Sequence, residues 1–327
     1  MHTLRATALV TRQALGRGFT TRFHCNACRR FPWPPSRFAY RQAHSRTDLP
    51  LSPASWNNRR PNPADVPGCP HVSHKIIYEQ PLNERIRAFL RLESLFQRVR
   101  HHLGGVSPWD SRAALDSLLD IMHIFSRSDL KTEVMKELER HTANLARLEQ
   151  NPDVDRGQLS ELLDELDLLI DQLHAYNGPV GAHLKNNEFL SAIQQRSAIP
   201  GGTCDFDLPA FHFWVERPAE ERLRDLAAWL DNFDAIGRAI KLILRLTRGS
   251  NLFHPHTAET GFFQRALDPN VPCQMVRVAL PAGSPYYAEI SGGRHRFSVR
   301  FMAQPSPNER AMQADGDIRF ELACCII

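Results

Sequence analysis

Two hydrophobic periods divide this chain, and they limit what it can fold into. From residue 86 to residue 173 apolar side chains recur three and four apart, the spacing that lines one face of a helix. Beyond Ile199-Pro200-Gly201-Gly202 the spacing falls mostly to two, the period of a half-buried strand. The expectation is an α+β protein. An N-terminal helical bundle domain, residues 73–198, precedes an antiparallel sheet domain with packed helices, residues 199–327.

The helical half can be read stripe by stripe. Ile76-Ile77-Tyr78-Glu79 is a short strand that Pro81 ends, and Asn83 can cap the helix that follows. That helix carries Ile86, Phe89, Leu92, Phe96, Val99 and Leu103 on one side. A second follows Ser107-Pro108, and a third starts near Ser128-Asp129 and is broken by Asn151-Pro152. The fourth has a heptad seam of Leu159, Leu162, Leu166, Leu169 and Leu173. Such a seam fits either the inside of a bundle or a coiled-coil contact with a second subunit. A shorter helix spans about 183–196. In the second half Phe211, Phe213 and Val215 alternate with His212 and Trp214 and read as a strand. Pro218 opens a long helix or helix pair that Gly249 closes. Further strands are expected around Phe262 and over 275–280, 286–290, 295–302 and 318–324.

Residues 1–72 read differently. They hold eleven Arg, no Lys and only Asp48 and Asp65 as acids, a net +9. The whole chain is +4, so residues 73–327 carry −5. Prolines crowd the segment and apolar periodicity is absent, so a disordered extension is expected. Its composition superficially resembles an organelle transit peptide. Cys25-x-x-Cys28 has no second ligand pair and does not make a zinc site. The seven cysteines form no disulfide framework, which suggests a reducing compartment. No apolar run reaches the ~20 residues of a membrane helix. The acidic balance of the remainder argues against a broad nucleic-acid surface.

Candidates for chemistry are few. Cys204, Asp207 and His212 are close in sequence but lack a nucleophile-elbow signature. His254-Pro255-His256 offers two metal ligands where a site needs three or four, and reads as a polar loop. The phosphate-cradling glycine motifs are absent. What remains is the stretch from Ile290 to Met302. Read as a strand, it places His295, Phe297, Val299 and Phe301 on one face and Arg294, Arg296, Ser298 and Arg300 on the other. Arg277 and Arg319 alternate with apolar residues in the same way. If these strands are neighbours, their guanidiniums form one patch for a carboxylate-bearing peptide. The alternatives are a merely solvated outer face, or a surface for nucleic acid or another acidic ligand.

Several stretches together resemble the Z-ring-associated cell-division family ZapD. They are Tyr78-Glu-Gln-Pro-Leu-Asn-Glu-Arg-Ile-Arg, Ile199-Pro-Gly-Gly-Thr-Cys-Asp-Phe-Asp-Leu-Pro, the Ile290-Ser-Gly and Arg296-Phe-Ser-Val-Arg-Phe-Met pair, and Arg319-Phe-Glu-Leu-Ala-Cys-Cys. The likeness covers nearly all of residues 74–327. It implies a symmetric homodimer, without enzymatic activity, cofactor or metal, in the cytoplasm at the mid-cell division site. It implies binding to the C-terminal tail of FtsZ and cross-linking of FtsZ filaments into bundles, with no nucleic-acid partner and no membrane insertion. Arg296 and Arg300 match basic positions that the family uses for the tail. Arg294 and Arg277 complete the candidate set on the sheet. The helix before Ile199 often supplies a further arginine in the family, whereas here that neighbourhood reads Lys185-Asn186-Asn187-Glu188, in which only Lys185 is basic and Glu188 would repel an acidic tail. Similar proteins begin near Ser73, which leads to the expectation that translation starts at Val72. The intact mass of the native protein tests it.

Overall fold

A computed structural model describes residues 74–326, apart from 128, 152 and 153. The expectations for residues 1–72 fall outside the described residues. Among the latter are eight helices and two antiparallel sheets, an α+β fold.

The helices are α1 (Glu84–Leu103), α2 (Pro108–Arg127), α3 (Leu130–Ala146), α4 (Arg156–Ala175), α5 (Glu188–Ser197), α6 (Pro209–Val215), α7 (Ala219–Asp231) and α8 (Asp234–Gly249). Local chemistry sets their starts. Asn83 Oδ1 accepts the Ile86 N–H at 2.9 Å and Asp129 accepts that of Thr132, each satisfying a first-turn donor that the helix itself cannot. Ile86, Phe89, Leu92, Phe96 and Val99 of α1 are all buried. On α4, Leu159, Leu166, Leu169 and Leu173 are buried and Leu162 partly so, and all but Leu159 join the shared helical core. The seam therefore serves the bundle interior. α8 packs against α1, α3 and α4. Gly237 permits that approach, since a Cβ there would lie 3.3 Å from the Phe96 ring.

The strands are β1 (Lys75–Pro81), β2 (His254–Ala258), β3 (Phe262–Ala266), β4 (Cys273–Pro281), β5 (Tyr286–Gly292), β6 (Arg296–Ala303), β7 (Met312–Gln313) and β8 (Ile318–Ile326). One sheet runs β1-β4-β8-β2, the other β3-β6-β5 with β7 against β6. The two sheets stack. Val276, Val278 and Leu280 of β4 and Phe320 and Leu322 of β8 meet Ala288 of β5 and Phe297, Val299 and Phe301 of β6 in one apolar cluster. The Phe301 and Phe320 rings lie 4.9 Å apart, a favourable aromatic spacing. Met275 and Cys325 point the other way, into the helical core. The β1-β4-β8-β2 sheet is thus a middle layer between helices and the second sheet. Its tie to the helices is ionic as well as apolar. Arg248 of α8 bonds both Glu79 of β1 and Glu93 of α1, at 2.7–2.9 Å.

Three sequence expectations need correction. Phe211, Phe213 and Val215 do not form a strand: Pro209 opens helix α6, where Phe211, Trp214 and Val215 are buried and Phe213 is 72% exposed. His254-Pro255-His256 is not a loop but part of edge strand β2, where a proline is tolerated. The division at residue 199 is crossed by both layers. β1 pairs with β4 in the sheet, and α6, α7 and α8 contribute to the same core as α1 to α5.

Candidate functional site

The outer face of the second sheet is set by the alternation along β6. Phe297, Val299 and Phe301 are at most 1% exposed and point inward. Arg296 and Arg300 therefore point outward, both exposed, with half-buried Ser298 between them. Four residues of strand separate the arginines by about 13 Å. Their neighbours follow from the register. Arg296 stands beside Ala266, Ser298 between Gln264 and Ser291, and Arg300 between Phe262 and Glu289. Met302 continues the row beside Tyr287 and Gln313. The face is thus cationic with an apolar margin.

Two features tune it. Glu289 Oε2 lies 3.7 Å from Arg300 Nη2, so that arginine is partly neutralised, with both side chains half exposed. Phe262, 40% exposed, is held beside Arg300 by a two-residue turn, Thr260-Gly261, with both residues at positive φ. That turn carries the chain from β2 in one sheet to β3 in the other.

The expected residues separate. Arg294 and His295 lie in the turn between β5 and β6, not on the strand, because the Gly293 N–H bonds to the Arg296 carbonyl and closes the hairpin. Arg294 lines a groove of about 500 Å³ with Arg296, Ser291 and Gln264. Arg277 is elsewhere. It sits on β4 in the middle layer, only 14% exposed, with Nε 3.0 Å from Glu79 and its guanidinium 5.0 Å from the Phe253 ring centre. Arg319 of β8 shares that face of the middle layer with Arg277. The arginines of β4 and β8 therefore form no single patch with those of β6. Lys185 is exposed on a 3-10 turn (Ala182–Asn186) in the helical layer, lining a groove of about 720 Å³ with Phe125, Asp129 and Met135. Sequence reasoning missed Glu289 and Phe262, whose relation to Arg300 exists only through cross-strand register.

The competing candidates do not assemble. Cys204 and His212 are both exposed, the thiol in a turn and the imidazole on the outer side of α6. Among the described residues no group of three or more metal-ligating side chains converges, and no helix is long and apolar enough to cross a membrane.

The chain is similar to known proteins over most of its length. The family profile described as ZapD, cell division protein, matches residues 90–300. The cell division protein ZapD of Methylococcus capsulatus is 43% identical over 256 residues, which span 78% of this chain and all of that protein. Those of Azoarcus sp. and Coxiella burnetii are 38% and 36% identical over 252 and 257 residues, again over their full length and 77% and 78% of this chain. With a profile match over residues 90–300 and relatives at 36–43% identity over their full length, the chain belongs to the ZapD family of cell division proteins.

Proposed function

We propose that this cell-division protein binds the C-terminal tail of FtsZ on the outer face of the β3-β6-β5 sheet. As a homodimer in the cytoplasm at mid-cell, it cross-links FtsZ filaments into bundles without enzymatic chemistry or a cofactor. The observation that supports this most is the exposed Arg296 and Arg300 pair, fixed on a strand whose other side is fully buried. Arginines whose backbone positions stand about 13 Å apart on a fixed strand, at about 3.3 Å per residue, suit two carboxylates of an extended peptide. Phe262, Tyr287 and Met302 suit its apolar residues, and Arg294 extends the charge into the β5-β6 turn.

Exposed ion pairs contribute only about 0–1 kcal/mol each, so one tail binds weakly and salt weakens it further. Bundling then comes from number. A two-fold dimer carries two sites, a filament carries many tails, and tethering raises the apparent affinity by a factor of ~100 or more. Cosedimentation with FtsZ polymers tests this reading. Arg296→Glu with Arg300→Glu abolishes pelleting while the thermal midpoint and dimer mass stay unchanged. Undiminished bundling by that double variant removes the site.

A further inference from the structure

Two of the scattered cysteines meet. Cys273 opens β4 and Cys324 lies on β8, the adjacent strand. In a regular ladder Cys273 would share a face with Met275 and point at the helices. A β-bulge prevents this. Met275 pairs with Cys325, yet Cys273 pairs with Ile326, so Gln274 is an extra residue on β4. Gln274 is buried, and its Oε1 accepts from Asn83 Nδ2 at 2.9 Å, which holds the bulge in place. The bulge turns Cys273 into the space between the sheets. Cys324, opposite Val276, faces the same space, and both pack against the same apolar cluster.

The surroundings differentiate the thiols. Hydrogen bonding from the neighbouring Cys273 thiol favours the Cys324 thiolate, and so does the positive charge of Arg265 of β3 on the facing sheet. Together, hydrogen bond first, they outweigh burial and lower Cys324 to about 7. The same hydrogen bond, with burial, pushes Cys273 well above the usual thiol range. Cys273 Sγ also lies 3.5 Å from the Met275 carbonyl. The next residue, Cys325, is fully buried, and burial pushes it up to about 11. Cys273 and Cys324 are each only half-buried, open enough for a small oxidant. A thiolate of this kind beside a second thiol is the arrangement of peroxide-sensitive cysteine pairs.

We propose that Cys324 and Cys273 form a peroxide-responsive pair that closes to a disulfide across β4 and β8. The Cys324 thiolate attacks one oxygen of hydrogen peroxide. The O–O bond breaks, leaving Cys324 as sulfenic acid and releasing hydroxide, which takes up the proton that Cys324 lost. The Cys273 sulfur then attacks the sulfenic sulfur. The S–S bond forms, the S–O bond breaks, and the hydroxyl leaves with the Cys273 proton as water. Two thiols lose two electrons in all, and one peroxide becomes two waters. The inference is independent of the reading given for the arginine face.

Graded hydrogen peroxide on the full chain, followed by alkylation, digestion and mass mapping, tests it. The expected product is a reducible cross-link between the Cys273 and Cys324 peptides. In Cys273→Ser, Cys324 accumulates as sulfenic acid that dimedone captures, whereas Cys325→Ala leaves the cross-link intact. Cys273→Ala returns Cys324 toward the ordinary thiol value of ~8.5 and slows its alkylation at neutral pH roughly threefold, the smaller thiolate fraction being partly offset by a more nucleophilic thiolate. Arg265→Gln slows it by a smaller factor. The idea fails if peroxide modifies exposed Cys204 while Cys273 and Cys324 stay unlinked in the wild-type chain. It also fails if dimedone labels Cys324 in Cys273→Ser no more than Cys325. The wild-type map stands without any substitution, so an unstable variant cannot rescue the idea.

Discussion

Glu289→Gln probes the proposed tail site by subtraction. Glu289 faces Arg300 across β5 and β6 at 3.7 Å, with both side chains half exposed. An exposed pair of this kind contributes about 0–1 kcal/mol to stability, so the fold tolerates its loss. For an acidic ligand the carboxylate is doubly unfavourable, because it occupies Arg300 and repels the incoming charge. A like charge at about 5 Å costs roughly 0.8 kcal/mol in water. Physiological salt, with a screening length of about 8 Å, halves this. With the release of Arg300 included, the gain is about 0.5–1.4 kcal/mol, or roughly two- to tenfold in affinity. The assay is fluorescence anisotropy with a labelled FtsZ C-terminal tail peptide at low and high salt. The gain shrinks as the screening length falls to about 3 Å near 1 M salt. Glu165→Gln is the control: it removes an exposed carboxylate on α4 that pairs with Arg245, and it leaves affinity unchanged. If Glu289→Gln weakens the peptide, or matches Glu165→Gln at low salt, the tail does not lie over Arg300.

Other consequences concern stability. Arg248→Met strips Glu93 of its guanidinium partner and leaves Glu79 with Arg277 alone; it lowers stability by about 3 kcal/mol. The urea midpoint falls with slope unchanged, and adding Glu93→Gln restores part of the loss; no recovery refutes the network. His141 is buried on α3, and burial, then Arg140, depress its imidazole to about 4 from 6.5. The folded state binds fewer protons than the unfolded chain inside that window. Stability is full above pH 6.5 and declines by roughly 3 kcal/mol as pH falls through it. Urea midpoints at pH 7.5 and 5 check this: the difference between them shrinks in His141→Leu, and an unchanged difference contradicts the assignment. Gly261→Ala places a Cβ 2.5 Å from the Ala314 carbonyl at φ +70. It costs about 1–3 kcal/mol, read as a lowered thermal midpoint, and no loss means the turn relaxes freely.

The helical half was legible because its signals are local. The Asn83 cap, the α1 stripe and the α4 seam each need only neighbours three or four residues away. β6 was legible for the same reason, through strict alternation about Phe297, Val299 and Phe301. α6 was misread because three apolar residues two apart outweighed Pro209, a helix-start signal. β2 was missed because histidine and proline carry little strand preference, and its existence depends on β8 as a partner. Arg277 was placed in the wrong patch because its partner, Glu79, is far away in sequence and opposite it only in the β1-β4 register. Lys185 and the β6 arginines belong to different layers, which no linear spacing reveals.

The position of β8 has a consequence for biosynthesis. It follows every other strand in the chain yet lies inside the middle sheet, between β4 and β2. Until it leaves the ribosome, β4 keeps one open edge and β2 has no ladder at all. β1, made before all eight helices, must itself wait for β4. Long-range pairing of this kind is slow and leaves unpaired, aggregation-prone edges meanwhile. A nascent chain halted before Ile318 therefore holds a helical bundle and a completed β3-β6-β5 sheet with the middle sheet half-built between them, a natural client for chaperones.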